Sequence, residues 1–198
     1  MTAVTPAPRL HVETRAQWRQ WLTDHHQHAR SVWVVSWRKH TGRPAVSYDD
    51  AVTEALAFGW VDSKPAALDH DRTMLYYSPR KVGSGWSRPN KLRIQTLERD
   101  GLMTPAGRRV IDAAKADGSW TMLDDVENLV VPDDLASALD TVPEARCHWD
   151  AFPRSVRRGI LEWIVQARRP QTRATRIAET ARRAGVGTRA NQWTPRQK

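Results

Sequence analysis

Arg80, Lys81, Ser84, Trp86, Ser87 and Asn90 fall within eleven residues, in the stretch Tyr76-Tyr77-Ser78-Pro79-Arg80-Lys81-Val82-Gly83-Ser84-Gly85-Trp86-Ser87-Arg88-Pro89-Asn90. The pattern runs from a strand, through a loop with two glycines, to a helix start. Ser87 is suited to cap that helix and Pro89 to sit in its first turn. Such a junction aims backbone N–H groups and the positive end of a helix dipole at one point. With Arg80, Lys81 and Arg88 nearby, the chemistry on offer is oxyanion binding beside an aromatic wall, Trp86. The same glycines would equally serve a plain surface turn that needs positive φ.

A second group lies just upstream. Trp60, Asp62 and Lys64 alternate along a stretch that reads as a short strand, and strand alternation would place all three on one face. Tyr76 would join them from a partner strand, and Glu54 would reach in from the end of a preceding helix. Asp62 and Glu54 are the candidate general bases. The other reading is a cross-strand ion pair on a solvated face. Trp60 and Trp86 are expected to line the site and not the deep core. No nucleophile is evident: there is no Gly-x-Ser-x-Gly elbow, Walker loop or Rossmann fingerprint. No cofactor and no metal are expected. His25, His26 and His28 invite zinc, but no carboxylate or cysteine stands at ligand spacing close by, so a polar helix end is the better reading.

The elements that must position these residues can be read in order. Residues 1–10 read as a disordered lead-in. Thr14 caps a helix over 15–25 with Trp18, Trp21 and Leu22 on one side. Ser31–Lys39 is a strand by its β-branched and aromatic residues. Ser47 caps a helix to about Phe58, with Asp49 and Asp50 in its first turn and Gly59 ending it. Residues 60–64 and 72–78 are expected as an antiparallel pair around a turn at 66–71. Helices follow over 90–100, from Thr104-Pro105 to Asp117, from Pro132 to Asp140 and from Pro143 to Phe152, with 119–131 irregular. Two amphipathic helices, 154–167 and 172–184, are separated by Pro170.

The expected fold is α+β: a small antiparallel sheet packed with helices, followed by a C-terminal all-helical segment. The expected divisions are an α+β pocket domain at 10–118, a helical segment at 119–185 that is basic from 154, and a mobile tail at 186–198. At 198 residues the chain can bury a core without disulfides, and its one cysteine, Cys147, leaves no internal pairing. That usage fits a cytoplasmic protein. Residues 1–9 lack the apolar run of a signal peptide, and no segment approaches the length of a membrane helix.

The net charge of +9 is unevenly placed. From Arg154 to Lys198 there are eleven Arg and one Lys against Glu162 and Glu179, a net of +10, so the preceding residues carry −1. This makes nucleic-acid binding through Arg168, Arg169, Arg173, Arg176, Arg182 and Arg183 an alternative to the pocket. No base-reading motif accompanies those arginines.

The order Glu54-Ala-Leu-Ala-Phe-Gly-Trp60-Val-Asp62-Ser-Lys64, Ser78-Pro79-Arg80-Lys81…Trp86-Ser87…Asn90, Met103-Thr104-Pro105-Ala106-Gly107 and Ile164…Ala167-Arg-Arg-Pro170…Thr172-Arg173…Arg176-Ile177 resembles the bacterial YdeI/OmpD-associated family, also labelled bacteriocin-protection. The resemblance covers roughly 14–184. It implies a small α+β domain followed by helices, and an association with stress and antimicrobial-peptide resistance. It brings no catalytic residues with it. The readings carried forward are a pocket for a small anionic or polar ligand, the nucleic-acid alternative, and an envelope-stress scaffold or partner-binding protein.

Overall fold

The sheet begins where the sequence concentrates β-branched and aromatic side chains, which suit a pleated, half-buried surface. In a computed structural model that describes residues 7–191, Val32–Trp37 forms strand β2 at the interior of a four-stranded sheet. The strands are β1 (Arg9–His11), β2, β3 (Trp60–Ala67) and β4 (Arg72–Pro79), in the order β1-β2-β4-β3. β2–β4 and β4–β3 are antiparallel, whereas β1 lies parallel to β2. The sheet is therefore mixed, within an α+β fold. The sequence reading runs a disordered lead-in to residue 10; the structure makes Arg9–His11 an edge strand. Three residues carry too little periodicity to announce themselves.

Two compact units separate: Met1–Ser84 with Pro89–Ser119, and Gly85–Arg88 with Trp120–Lys198. In the first unit, helix α1 (Arg15–His25) starts with a reciprocal capping box, Thr14 accepting from the Gln17 N–H and Gln17 returning to the Thr14 N–H. Helix α2 (Tyr48–Ala57) is capped by Ser47 and buries every residue from Ala51 to Ala57. Trp18 ties α1 to α2 by donating its indole N–H to the Ala51 carbonyl at 2.9 Å. After α2, Gly59 turns the chain at φ +76° directly into β3. Helix α3 (Arg88–Arg99) and helix α4 (Pro105–Ala116) follow, the latter with Thr104 as cap and Pro105 in its first turn.

β3 contains a bulge. Asp62 pairs with Tyr77 and Pro65 with Leu75, so three steps along β3 match two along β4. The extra residue reverses the parity of the side chains beyond it.

The second unit contains the short helix α5 (Asp124–Glu127), α6 (Asp133–Thr141), α7 (Ala145–Ala151), α8 (Arg154–Val165) and α9 (Pro170–Gly185). α5 lies inside the segment read as irregular; four residues are too few for a helical period to show. Its core brings Leu123, Leu135, Leu139, Trp149, Ile160, Leu161, Ile164 and Ile177 together. Ala190 also belongs to this core, so part of the segment read as a mobile tail is packed. The rest of that tail, 192–198, lies outside the described residues.

Candidate functional site

The bulge decides what Asp62 faces. As the cross-strand partner of Tyr77, Asp62 shares its face of the sheet, and Lys64 falls on the other one. There the Lys64 ammonium lies over the rings of Trp33 (5.7 Å to the centroid) and Tyr76 (5.4 Å). Asp62 and Lys64 are thus on opposite faces, where simple alternation expects them together.

Asp62 instead opens into a cavity of about 500 Å³ within the first unit. Its floor is the sheet: Val34 and Ser36 from β2, Thr73, Leu75 and Tyr77 from β4, and Asp62 and Pro65 from β3. Its wall is the entry to α2, Val46 to Tyr48. The size is that of a small-molecule site, and the lining mixes an apolar body with a few converging polar groups.

Three oxygens define its chemistry. The Tyr48 hydroxyl donates to Asp62 Oδ2 at 3.1 Å from the rim, where Tyr48 is 59 % exposed. Burial, then the Asp62 charge, raises the Tyr48 phenol above its usual range. The Tyr77 hydroxyl is fully buried and has no hydrogen-bond partner among the described residues. Burial pushes its ionisation strongly upward, with the Asp62 charge adding to the effect, so it stands as a neutral phenol able both to donate and to accept. A buried polar group without a partner is costly. Tyr77 is the residue that sequence reasoning missed. It is one of two adjacent tyrosines, and only the strand register shows which of them meets the cavity.

The remaining expected site residues are placed as follows. Glu54 is 1 % exposed and clamped between Arg15 Nε at 2.5 Å and Arg19 Nη1 at 2.6 Å. The two guanidinium groups hold the Glu54 carboxylate and tie α1 to α2. Trp60 is also 1 % exposed; it donates to the His26 carbonyl at 3.2 Å and meets Trp21 edge-on. Trp86 is buried to the same degree and packs on Trp120, their ring centroids 5.1 Å apart. Both indoles are core residues, against the expectation that they line a site.

Arg80 is largely buried. Its pKa is lowered to about 10 by burial, with Asp62 pulling it back up. It donates to the Ser84 carbonyl across 3.5 Å, and it is not among the residues lining the cavity. Ser84 also donates its hydroxyl to the Lys81 carbonyl at 2.6 Å, which closes the turn. Lys81 is exposed. Asn90 accepts from Arg93 at 3.0 Å, and Arg93 also holds Asp49. The boundary between the two units falls inside this loop, leaving Trp86 and Ser87 in the second. At the start of α3 the first N–H, that of Arg88, faces the Glu127 carboxylate at 3.5 Å. Glu127 is buried and bonded to Arg158 at 2.8 Å.

The arginines of the nucleic-acid alternative are partly committed. Arg173 holds Asp134 with two bonds, Arg183 pairs with Glu179, and Arg176 stacks on Trp163 and bonds its carbonyl. Arg168, Arg169 and Arg182 are exposed. No described helix is long and apolar enough to cross a membrane.

Two family models match the chain. Residues 10–110 match one described as Domain of unknown function (DUF8412). Residues 128–187 match one described as Bacteriocin-protection, YdeI or OmpD-Associated. The YdeI/OmpD likeness read over 14–184 is therefore matched in the C-terminal part, and the motifs from Glu54 to Gly107 fall under the other model. No curated protein and no solved structure matches the chain. The chain thus belongs to the DUF8412 family, whose model spans half of its length with the sheet and the cavity inside it, and over residues 128–187 it carries a domain of the YdeI/OmpD-associated, bacteriocin-protection family.

Proposed function

We propose that the first unit binds a small polar molecule in the cavity floored by β2, β4 and β3. The ligand is neutral or cationic, with a hydrogen-bond donor for Asp62 and an apolar body against Val34, Val46 and Leu75. The observation that carries this reading is the buried, unpartnered Tyr77 hydroxyl in the same cavity as the Asp62 carboxylate. Lys, Arg and His side chains are absent from the described lining, so an anion entering there would meet Asp62 with no cationic side chain in direct reach. This narrows the expected anionic or polar ligand to the polar case. Tyr48 acts as the gate: its hydroxyl occupies one Asp62 oxygen and its exposed ring can swing away.

The bacteriocin-protection description belongs to the model matched by 128–187 and names no chemistry at the cavity. The reading is tested by a binding screen of small neutral, cationic and anionic compounds, read by ligand-detected NMR. Neutral or cationic hits that weaken about tenfold or more in Asp62→Asn support it, since a charge-assisted hydrogen bond contributes about 1.5–3 kcal/mol. Hits that are anionic, or that bind Asp62→Asn and Tyr77→Phe as well as the parent protein, would remove the cavity as the site.

A further inference from the structure

Outside the cavity, the first unit brings two histidines and an aspartate together at the far end of the sheet. His40 stands on a one-turn 3-10 helix (Lys39–Thr41) that follows β2. His70 and Asp71 stand in the turn between β3 and β4. The ligand atoms of the three residues lie within 4.8 Å of one another. His40 Nε2 is 3.1 Å and His70 Nδ1 is 2.8 Å from the same oxygen, Asp71 Oδ1.

One carboxylate oxygen thus accepts from both imidazoles. A tetrahedral zinc ion, bonded at roughly 2.0–2.2 Å, needs neighbouring ligand atoms about 3.3 Å apart. Two of the three edges are already close to that, and exposed side chains can close the third. The backbone beneath is set in advance. The Arg38 N–H donates to the Asp71 carbonyl at 2.8 Å, joining the two segments. Asp69 Oδ1 accepts from the N–H groups of Asp71 and Arg72, and its other oxygen neutralises the Arg72 guanidinium. The nearest cation of the turn is therefore paired.

We propose that His40, His70 and Asp71 form a binding site for a divalent transition-metal ion of the zinc type, with water in the remaining position. On binding, the metal takes the place of the two bridging N–H protons. Each imidazole then carries its proton on the other ring nitrogen, His40 on Nδ1 and His70 on Nε2, both accessible to water. The site clips the end of β2 to the β3–β4 turn.

The test uses tag-free full-length protein stripped with chelator and titrated with Zn²⁺ by calorimetry, with Co²⁺ absorption as a second readout. One Zn²⁺ per chain is expected, with a thermal unfolding midpoint that rises with metal. His40→Ala and Asp71→Asn should each weaken binding by roughly tenfold or more and abolish the midpoint rise. His28→Ala, in the other histidine-rich stretch, should leave both unchanged. All three variants alter exposed residues, and far-ultraviolet circular dichroism checks that they fold. Absence of Zn²⁺ binding overturns the proposal. So does binding that survives His40→Ala and Asp71→Asn, or that is lost in His28→Ala.

Discussion

A hydroxyl that serves only packing and one that awaits a ligand respond differently to the same substitution. Tyr77 lies against Trp18 in the core of the first unit, with ring centroids 5.2 Å apart, and its hydroxyl bonds none of the described residues. Tyr77→Phe keeps the ring and removes a desolvated polar atom. Stability should therefore hold or rise by up to about 1–2 kcal/mol, since an unsatisfied buried polar group costs about 1–3 kcal/mol. Binding of any cavity ligand should fall in the same variant. Chemical denaturation beside a ligand titration reads both numbers. A fall in stability of similar size would show that the hydroxyl has a structural partner.

Glu127 gives a pH prediction. Hydrogen bonding to Arg158 lowers its pKa from the ordinary 4.5. A depressed carboxyl contributes stability that is complete above the unfolded-state value and lost as the pH falls through the folded one. Glu127→Gln should remove that part of the acid sensitivity, flattening the loss of stability below about pH 4.5 while lowering stability at neutral pH. Denaturant midpoints measured across the acid range test it. An unchanged pH slope would mean the contact with Arg158 is not made in solution.

At the scale of elements, close approaches matter more than propensity. Gly107 sits in α4 where a Cβ would come within 2.3 Å of the Ala57 carbonyl oxygen at the end of α2. Backbone cannot yield as a side chain can. Gly107→Ala should therefore cost about 1–3 kcal/mol as an overpacked contact, despite alanine's helix-propensity advantage of ~1 kcal/mol. Gly159 in α8 has nothing within 4 Å of such a Cβ, so Gly159→Ala should stabilise by up to ~1 kcal/mol. Opposite signs in thermal unfolding are the expected outcome. The bulge works at this scale too. Deleting Ser63 should remove the bulge and restore simple alternation while Asp62 and Pro65 keep their present partners and face, because both strands then take two steps between those pairs.

At the scale of the molecule, the C-terminal helices are core as well as charge. Ile160, Leu161 and Ile164 of α8 and Ile177, Ala181 and Ala184 of α9 belong to the same core as Trp149 and Leu135. Ending the chain at Pro153 would expose that surface, and the fragment should aggregate. A soluble 1–153 fragment with a cooperative transition would show the second unit to be less dependent on α8 and α9 than its packing indicates. The basic excess of this region is partly consumed by Asp134, Glu179 and Glu127, which leaves less free charge for a polyanion than the count of arginines implies.

Much of the architecture was legible because it is local. Thr14, Ser47 and Thr104 cap helices with their own nearby N–H groups. β2 is announced by composition and the loop at 59 by its glycine. The YdeI/OmpD-associated likeness of the C-terminal region, and the charge excess there, also follow from the order of residues alone. The site depended on contacts between distant positions. A single inserted residue in β3, invisible to a period of two, decides that Asp62 faces Tyr77 and that Lys64 turns away. Glu127 meets the start of α3 from 39 residues along the chain, and the Arg15–Glu54 pair spans the same separation. His40 meets Asp71 across 31 residues because β2 and β4 are neighbours in the sheet. Charges, caps and periods belong to the sequence. Which buried oxygen lacks a partner is decided only when the strands settle their register, because hydrogen-bond satisfaction depends on the packed whole.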